Sequence, residues 1–217
     1  RGKAVIKAKG DVFLKFADQA IIEAGGNVVA DESIINCKVM ARGSVIAKGR
    51  KGVVIGGEVF AGDTVDVTHL GSDLGVITSV EVGLDPALRE EYIQITNELA
   101  EFQNKLRDVT KGVELLKSME EKLGALPEDK RELYLRMTKA MFQIKGQVER
   151  LKKRKEELEE KIEKVKKEGK VIVRGVVYPG VRITIRGVKL VVKEAIKEVV
   201  FYREGNEIKV GALRETR

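Results

Sequence analysis

Asp63, Asp66, His69 and Asp73 fall within eleven residues, and His69 is the chain's only histidine. Carboxylates close to an imidazole are the groups that hold a metal ion or exchange protons with a substrate. Yet Gly62-Asp63 and Gly71-Ser72-Asp73 are ordinary corner sequences, in which an aspartate bonds its own backbone. An enzyme with a site at Asp63, Asp66 and His69 is therefore the alternative reading, and the expected catalytic, metal and cofactor sets are empty. Gly52-Val53-Val54-Ile55-Gly56-Gly57-Glu58 has the glycine spacing of a phosphate-binding loop, but Glu58 stands where that loop needs a lysine. Cys37, within Ile34-Ile35-Asn36-Cys37-Lys38-Val39, reads as a small core residue.

The elements that would carry these residues are short. From Ala4 to Gly83, Val/Ile-rich runs are separated by glycine and small polar residues. Gly10-Asp11-Val12, Gly26-Asn27-Val28, Gly43-Ser44-Val45 and Gly62-Asp63-Thr64-Val65 recur at intervals of 16, 17 and 19, a loose internal repeat. Strands of three to five residues, such as Ala20 to Glu23, Val28 to Ala30 and Ile34 to Cys37, suit the faces of a β-solenoid, whose coils stack around a continuous apolar core. A β-sandwich has longer strands and turns every 8 to 12 residues or so, so the solenoid, wound as a right-handed β-helix, is preferred. Acyltransferase solenoids need a strict six-residue period that this stretch does not keep, and polysaccharide lyases need more coils than fit here.

Residues 86–168 change character. Leu88, Tyr92, Leu99, Phe102, Leu106, Val109, Val113 and Leu116 recur at steps of four and three, with Ile95 filling a gap. After Gly124-Ala125-Leu126-Pro127 the stepping resumes with Tyr134, Met137, Met141, Ile144, Val148, Leu151, Leu158 and Ile162. These are heptad seams. Paired positions such as Leu106 and Ile144, or Leu116 and Tyr134, sum to 250, as in an antiparallel coiled-coil hairpin folding about residue 125. Two slots hold other pairs, Glu120 opposite Lys130 and Lys155 opposite Ile95. Each arm is roughly 60 Å long at 1.5 Å per residue, too long to lie inside a domain of this size, so it is expected to project.

Residues 169–217 return to the first texture. Val181, Ile183 and Ile185 alternate with Arg182, Thr184 and Arg186 after the turn dipeptide Pro179-Gly180, a one-sided strand. Val199 to Arg203 and Ile208 to Val210 flank Glu204-Gly205-Asn206-Glu207, a β-hairpin expected to cap the last coil. The division is thus 1–85, first part of the solenoid; 86–168, inserted hairpin; and 169–217, completion and cap.

Net charge is +7 over 217 residues, shared as −1, +2 and +6 among those three parts. The hairpin's mixed Lys and Glu read as a solvated coiled-coil surface. A nucleic-acid surface would show a one-sign stripe with stacking aromatics, so nucleic acid is not an expected partner. A single cysteine precludes an intrachain disulfide and suits a reducing cytosol. No run of 18 apolar residues and no signal-peptide pattern occurs, so neither a membrane-spanning segment nor secretion is expected; the expected location is cytoplasmic. The chain begins at Arg1, and is expected to be a piece of a longer protein.

A glycine-punctuated solenoid, a long helical hairpin set late in it, and the return strand Val177-Tyr178-Pro179-Gly180-Val181-Arg182-Ile183 together resemble the bacterial flagellar assembly protein A family. The resemblance spans nearly the whole chain and implies a cytoplasmic, non-enzymatic scaffold acting through protein partners in flagellar assembly or placement, with a separate N-terminal domain. It carries over no catalytic residue. The solenoid also resembles bactofilins and the C-terminal domain of the division inhibitor MinC, which build polymers or dimers. A bactofilin-like cytoskeletal polymer is thus a further alternative, and a homo-oligomer is compatible with either. Expected partner contacts are Leu123, Ala125, Leu126 and Pro127, apolar residues at the hairpin turn. The alternative is Arg174, Arg182 and Arg186, basic residues suited to an acidic partner.

Overall fold

A computed structural model describes residues 4–49, 51–164 and 168–213. Strands β1 (Val5–Ala8), β2 (Val12–Asp18), β3 (Ile21–Ala24), β4 (Val28–Ala41), β5 (Val45–Ala47), β6 (Val53–Ala61), β7 (Thr64–Val67), β8 (His69–Leu70) and β9 (Thr78–Val82) precede two helices, α1 (Pro86–Leu123) and α2 (Glu128–Lys164). Strands β10 (Lys170–Val177), β11 (Arg182–Ile185), β12 (Val188–Val191), β13 (Ile196–Glu204) and β14 (Glu207–Ala212) follow. The chain forms two compact units, Glu90–Lys164 and the remainder.

The strands form a β-solenoid whose faces are three parallel ladders. In one, Val12, Val28, Val45, Val65 and Val171 stack in register. In the second, Ala17, Ile34, Val54, Leu70 and Val177 stack. The third stacks Ile6, Ile22, Val39, Val59, Val80 and Ile183. All but Ile6, which lies on the first strand, are buried and meet in one core. Because side chains alternate across a strand, each ladder turns every second residue inward, and valine and isoleucine fit a pleated, covered surface. Strands after the helices stack on strands before them, β10 on β7 and β11 on β9. Beyond this parallel stack the pairing turns antiparallel, β12 on β11, β13 on β10 and β14 on β13.

The glycine repeat marks one corner. The amide of Gly26 donates to the Gly10 carbonyl, that of Gly43 to Gly26, and that of Asp63 to Gly43, at 3.0–3.1 Å. Asn27 and Ser44 donate their amides to the side-chain oxygens of Asp11 and Asn27, at 2.6 and 2.8 Å, forming a polar stack along that edge. Strands are longer than the sequence texture implies, since β4 has 14 residues and contributes to all three ladders. It rounds a corner at Asn36, whose φ is +50°, an angle that asparagine tolerates. One coil on, the chain turns through Gly56 and Gly57. At Gly57, φ is +76° and an added Cβ would lie 2.1 Å from the Cys37 carbonyl oxygen, so only glycine fits.

Cys37 and Thr78 share the neighbouring inward position. The amide of Ala20 donates to Cys37 Sγ (3.4 Å) and that of Gly56 to Thr78 Oγ1 (2.8 Å). Each side chain in turn donates to the carbonyl two residues before it, Ile35 and Val76, at 3.1 Å. The cysteine is thus a hydrogen-bonding corner residue as well as core filling, and burial pushes its thiol pKa up.

Helix α1 opens with Asp85 Oδ1 accepting from the Ala87 amide at 2.8 Å, a side-chain N-cap followed by proline. Its other end is Gly124 (φ +79°), whose amide returns to the Glu120 carbonyl, a glycine stop. In the Glu90–Lys164 unit Ile95, Leu99, Val113, Leu116, Val148 and Leu158 are buried. Tyr92 Oη donates to Glu159 at 2.9 Å, Arg154 pairs with Glu91, and Lys155 Nζ lies 5.5 Å from the Tyr92 ring centroid. Each contact links α1 to α2.

Candidate functional site

Asp66 lies on β7 and is 7% exposed. Its carboxylate receives both arms of the Arg174 fork, Nε at 2.9 Å and NH2 at 3.0 Å, and also pairs with Lys48. The fork matches the two oxygens, and these hydrogen bonds hold the Arg174 pKa above its ordinary value. His69, on β8, accepts the Val176 amide at Nδ1 (3.2 Å), which leaves Nε2 carrying the proton when the ring is neutral. Its ring packs where Gly175 has no Cβ. Asp63 takes part in the corner stack through its backbone, and Asp73 is exposed in the turn after β8. The coils therefore spread Asp63, Asp66 and His69 over separate positions, and Asp66 is engaged by two cations. Among the described residues, no group of three or more His, Cys, Asp or Glu is placed to hold a metal. The Gly52–Glu58 stretch runs into strand β6 and not into a helix.

The three arginines sit apart. Arg174 is taken up by Asp66. Arg182 lines a cleft with Phe60, Glu81, Arg89 and Lys189, where Arg89 bonds Glu81 at 2.8 Å and lies 4.4 Å from the Phe60 ring centroid. Arg186 lines a second cleft with Lys170, Tyr202, Arg203 and Glu204. There Arg203 donates to the carbonyl oxygens of Gly205 and Arg186, at 2.6 and 2.8 Å.

At the interhelical turn Leu123, Ala125 and Pro127 are exposed and Leu126 is half-buried; Leu123 is 65% exposed. Sequence reasoning passed over a second exposed apolar pair on α2, Leu135 at 61% and Phe142 at 64%. The signal is the local charge. Between Asp129 and Glu149 the chain has one acidic residue, Glu132, and five basic ones, an excess hidden when the whole hairpin is counted together.

The geometry defines a glycine-cornered β-solenoid with a two-helix segment between its strands. The family model of the flagellar assembly protein A β-solenoid domain matches residues 1–208, and the chain belongs to that family. No curated protein and no solved structure matches it. No helix among the described residues is long and apolar enough to cross a membrane.

Proposed function

We propose that this chain is a non-enzymatic scaffold of flagellar assembly or placement that works through protein–protein contacts in the cytoplasm. The family match over residues 1–208 carries the reading. Its polar residues agree, because Asp66 is committed to Arg174 and Lys48 and His69 to the Val176 amide. In this reading residues 86–168 are an insertion between the solenoid parts 1–85 and 169–217, the solenoid is right-handed, and α1 and α2 form an antiparallel coiled coil. The contacts of Tyr92 with Glu159 and Glu91 with Arg154 support that pairing. The turn residues Leu123, Ala125, Leu126 and Pro127 are the proposed partner contact, with Arg182 and Arg186 as the basic alternative; Arg174 belongs to that set only by giving up Asp66.

The test is genetic. Cells whose own copy encodes Leu126→Ser, or lacks residues 86–168, should place or number their flagella abnormally by electron microscopy. Normal flagella in both strains would remove the reading.

A further inference from the structure

We propose that the face of α2 centred on Leu135 and Phe142 docks an acidic amphipathic helix of a protein partner. The two residues are seven apart, hence nearly in line on one side of the helix and about 10 Å apart along it. Both are more than half exposed (61% and 64%), while Val148 and Leu158 of the same helix are buried. Single exposed apolar residues are common and carry no meaning. A pair at this spacing matches the i, i+7 anchors of an opposing helix.

Charge identifies the occupant. Arg131, Arg136, Lys139 and Lys145 are all exposed. Lys139 lies four residues after Leu135 and three before Phe142, and Arg131 and Lys145 continue that spacing outward, so these cations flank the apolar pair. Among the described residues, none of the four makes a side-chain hydrogen bond or ion pair. Further along α2 the pattern reverses, since Lys152 pairs with Glu149, Arg154 with Glu91 and Glu157, and Lys155 with Glu159. With Glu132 the one carboxylate among them, these cations leave an excess of positive charge around the two apolar anchors, which complements a helix with leucines seven apart and glutamates beside them. An anionic membrane is the weaker match, because a helix lying in a bilayer surface needs a broad apolar face and this one has two apolar positions.

The surface is separate from the interhelical turn, and its test does not depend on a flagellar role. The probe is a fluorescein-labelled synthetic helix of Glu, Ala and Leu, with leucines seven residues apart between glutamates, titrated into the full chain by anisotropy. Saturable binding is expected, weakened roughly tenfold by Phe142→Gln, about threefold by Lys139→Glu with Lys145→Glu, and not by the control Lys153→Glu. A Glu/Ala peptide without leucine should bind at least as weakly as the helix binds Phe142→Gln. Helix content by circular dichroism checks each variant, and Leu135→Gln replaces Phe142→Gln if the latter is unfolded. No binding, or equal binding by the chain and its variants, overturns the proposal. So does Phe142-dependent binding to phosphatidylglycerol–phosphatidylcholine vesicles without binding of the helix, which would assign the face to a membrane.

Discussion

The solenoid's inward ladders and the seams of the two helices are both apolar rows, yet they bury their residues to different depths. Val28, Val45, Val65 and Val171 are fully buried, because each has a like residue on the coil before it or after it and the other two ladders across the core. In the helices, Val113, Leu116, Val148 and Leu158 are buried, but Leu106, Val109, Met137 and Ile144 of the same apolar rows stay half-exposed. A row enclosed on every side transmits any fault to its neighbours, whereas a two-helix seam has solvent along its edges. The same kind of apolar row is therefore closed off from water in one region and only partly covered in the other.

The largest break in this contrast is expected from Val65→Asp. The carboxylate would enter the closed core between Val45 and Val171, with no cation facing it in the ladder, at a cost of more than about 4 kcal/mol. Loss of amide protection throughout the β-strands by hydrogen exchange is the expected result. A protected solenoid in this variant would mean that the core is far looser than its burial implies.

Leu106→Asp should cost less, roughly 2–3 kcal/mol, because the half-exposed site lets the carboxylate reach water. Arg107, exposed one residue on, supplies the control: Arg107→Asp should change stability by no more than about 0.5 kcal/mol. Thermal melts followed at 222 nm compare the two, and equal melting would mean that position 106 does not lie on a packed seam.

Much of this architecture was legible because it is periodic. The valines of the glycine repeat became one ladder, with one refinement: Val65 stacks on Val45 at a separation of 20 residues, since Gly62-Asp63-Thr64-Val65 has one residue more than its predecessors between glycine and valine. The two helices were legible from heptad stepping and the glycine–proline break. The polar residues were not, because their partners are set by stacking across distance in sequence. Asp66 meets Arg174 108 residues away, and no local motif announces that pair. The shared role of Cys37 and Thr78 escaped notice for the same reason, as two different residue types, on β4 and β9 with β6 between them in the ladder, do one job. Strand lengths were underestimated because a ladder that turns a corner through Asn36 breaks the side-chain alternation without ending the strand.

That shared corner role predicts a smaller effect. Cys37→Thr should be close to neutral, since Thr78 already receives a corner amide through its hydroxyl. Cys37→Val has nearly the same shape but leaves the Ala20 amide without its acceptor, costing about 1–2 kcal/mol. Denaturant titration of both variants measures the difference, and equal stability would show that the sulfur contributes only volume. The raised thiol pKa also gives a pH sign. The folded state holds the thiol proton more tightly than the unfolded chain, so the stability from this group is present below the unfolded thiol's pKa and declines as pH rises through the folded value. Cys37→Thr should remove that alkaline decline.

The smallest effect is expected in the helices and has the opposite sign. Glycine at a solenoid corner is required by close backbone approach, as at Gly57, but Gly146 lies inside α2 with no atom within 4 Å of an added Cβ. Alanine there gains helix propensity and reduces the freedom of the unfolded chain, so Gly146→Ala should stabilise by about 1 kcal/mol. Gly112 is the nearby counterexample, since its added Cβ would meet Met137 Cε at 2.3 Å; Gly112→Ala must displace that flexible side chain and should gain less. A rise in the 222 nm melting temperature for Gly146→Ala, larger than for Gly112→Ala, is the expected order. The reverse order would place the crowded side of the helix at residue 146 and undo the assignment of Met137 to the face that meets α1.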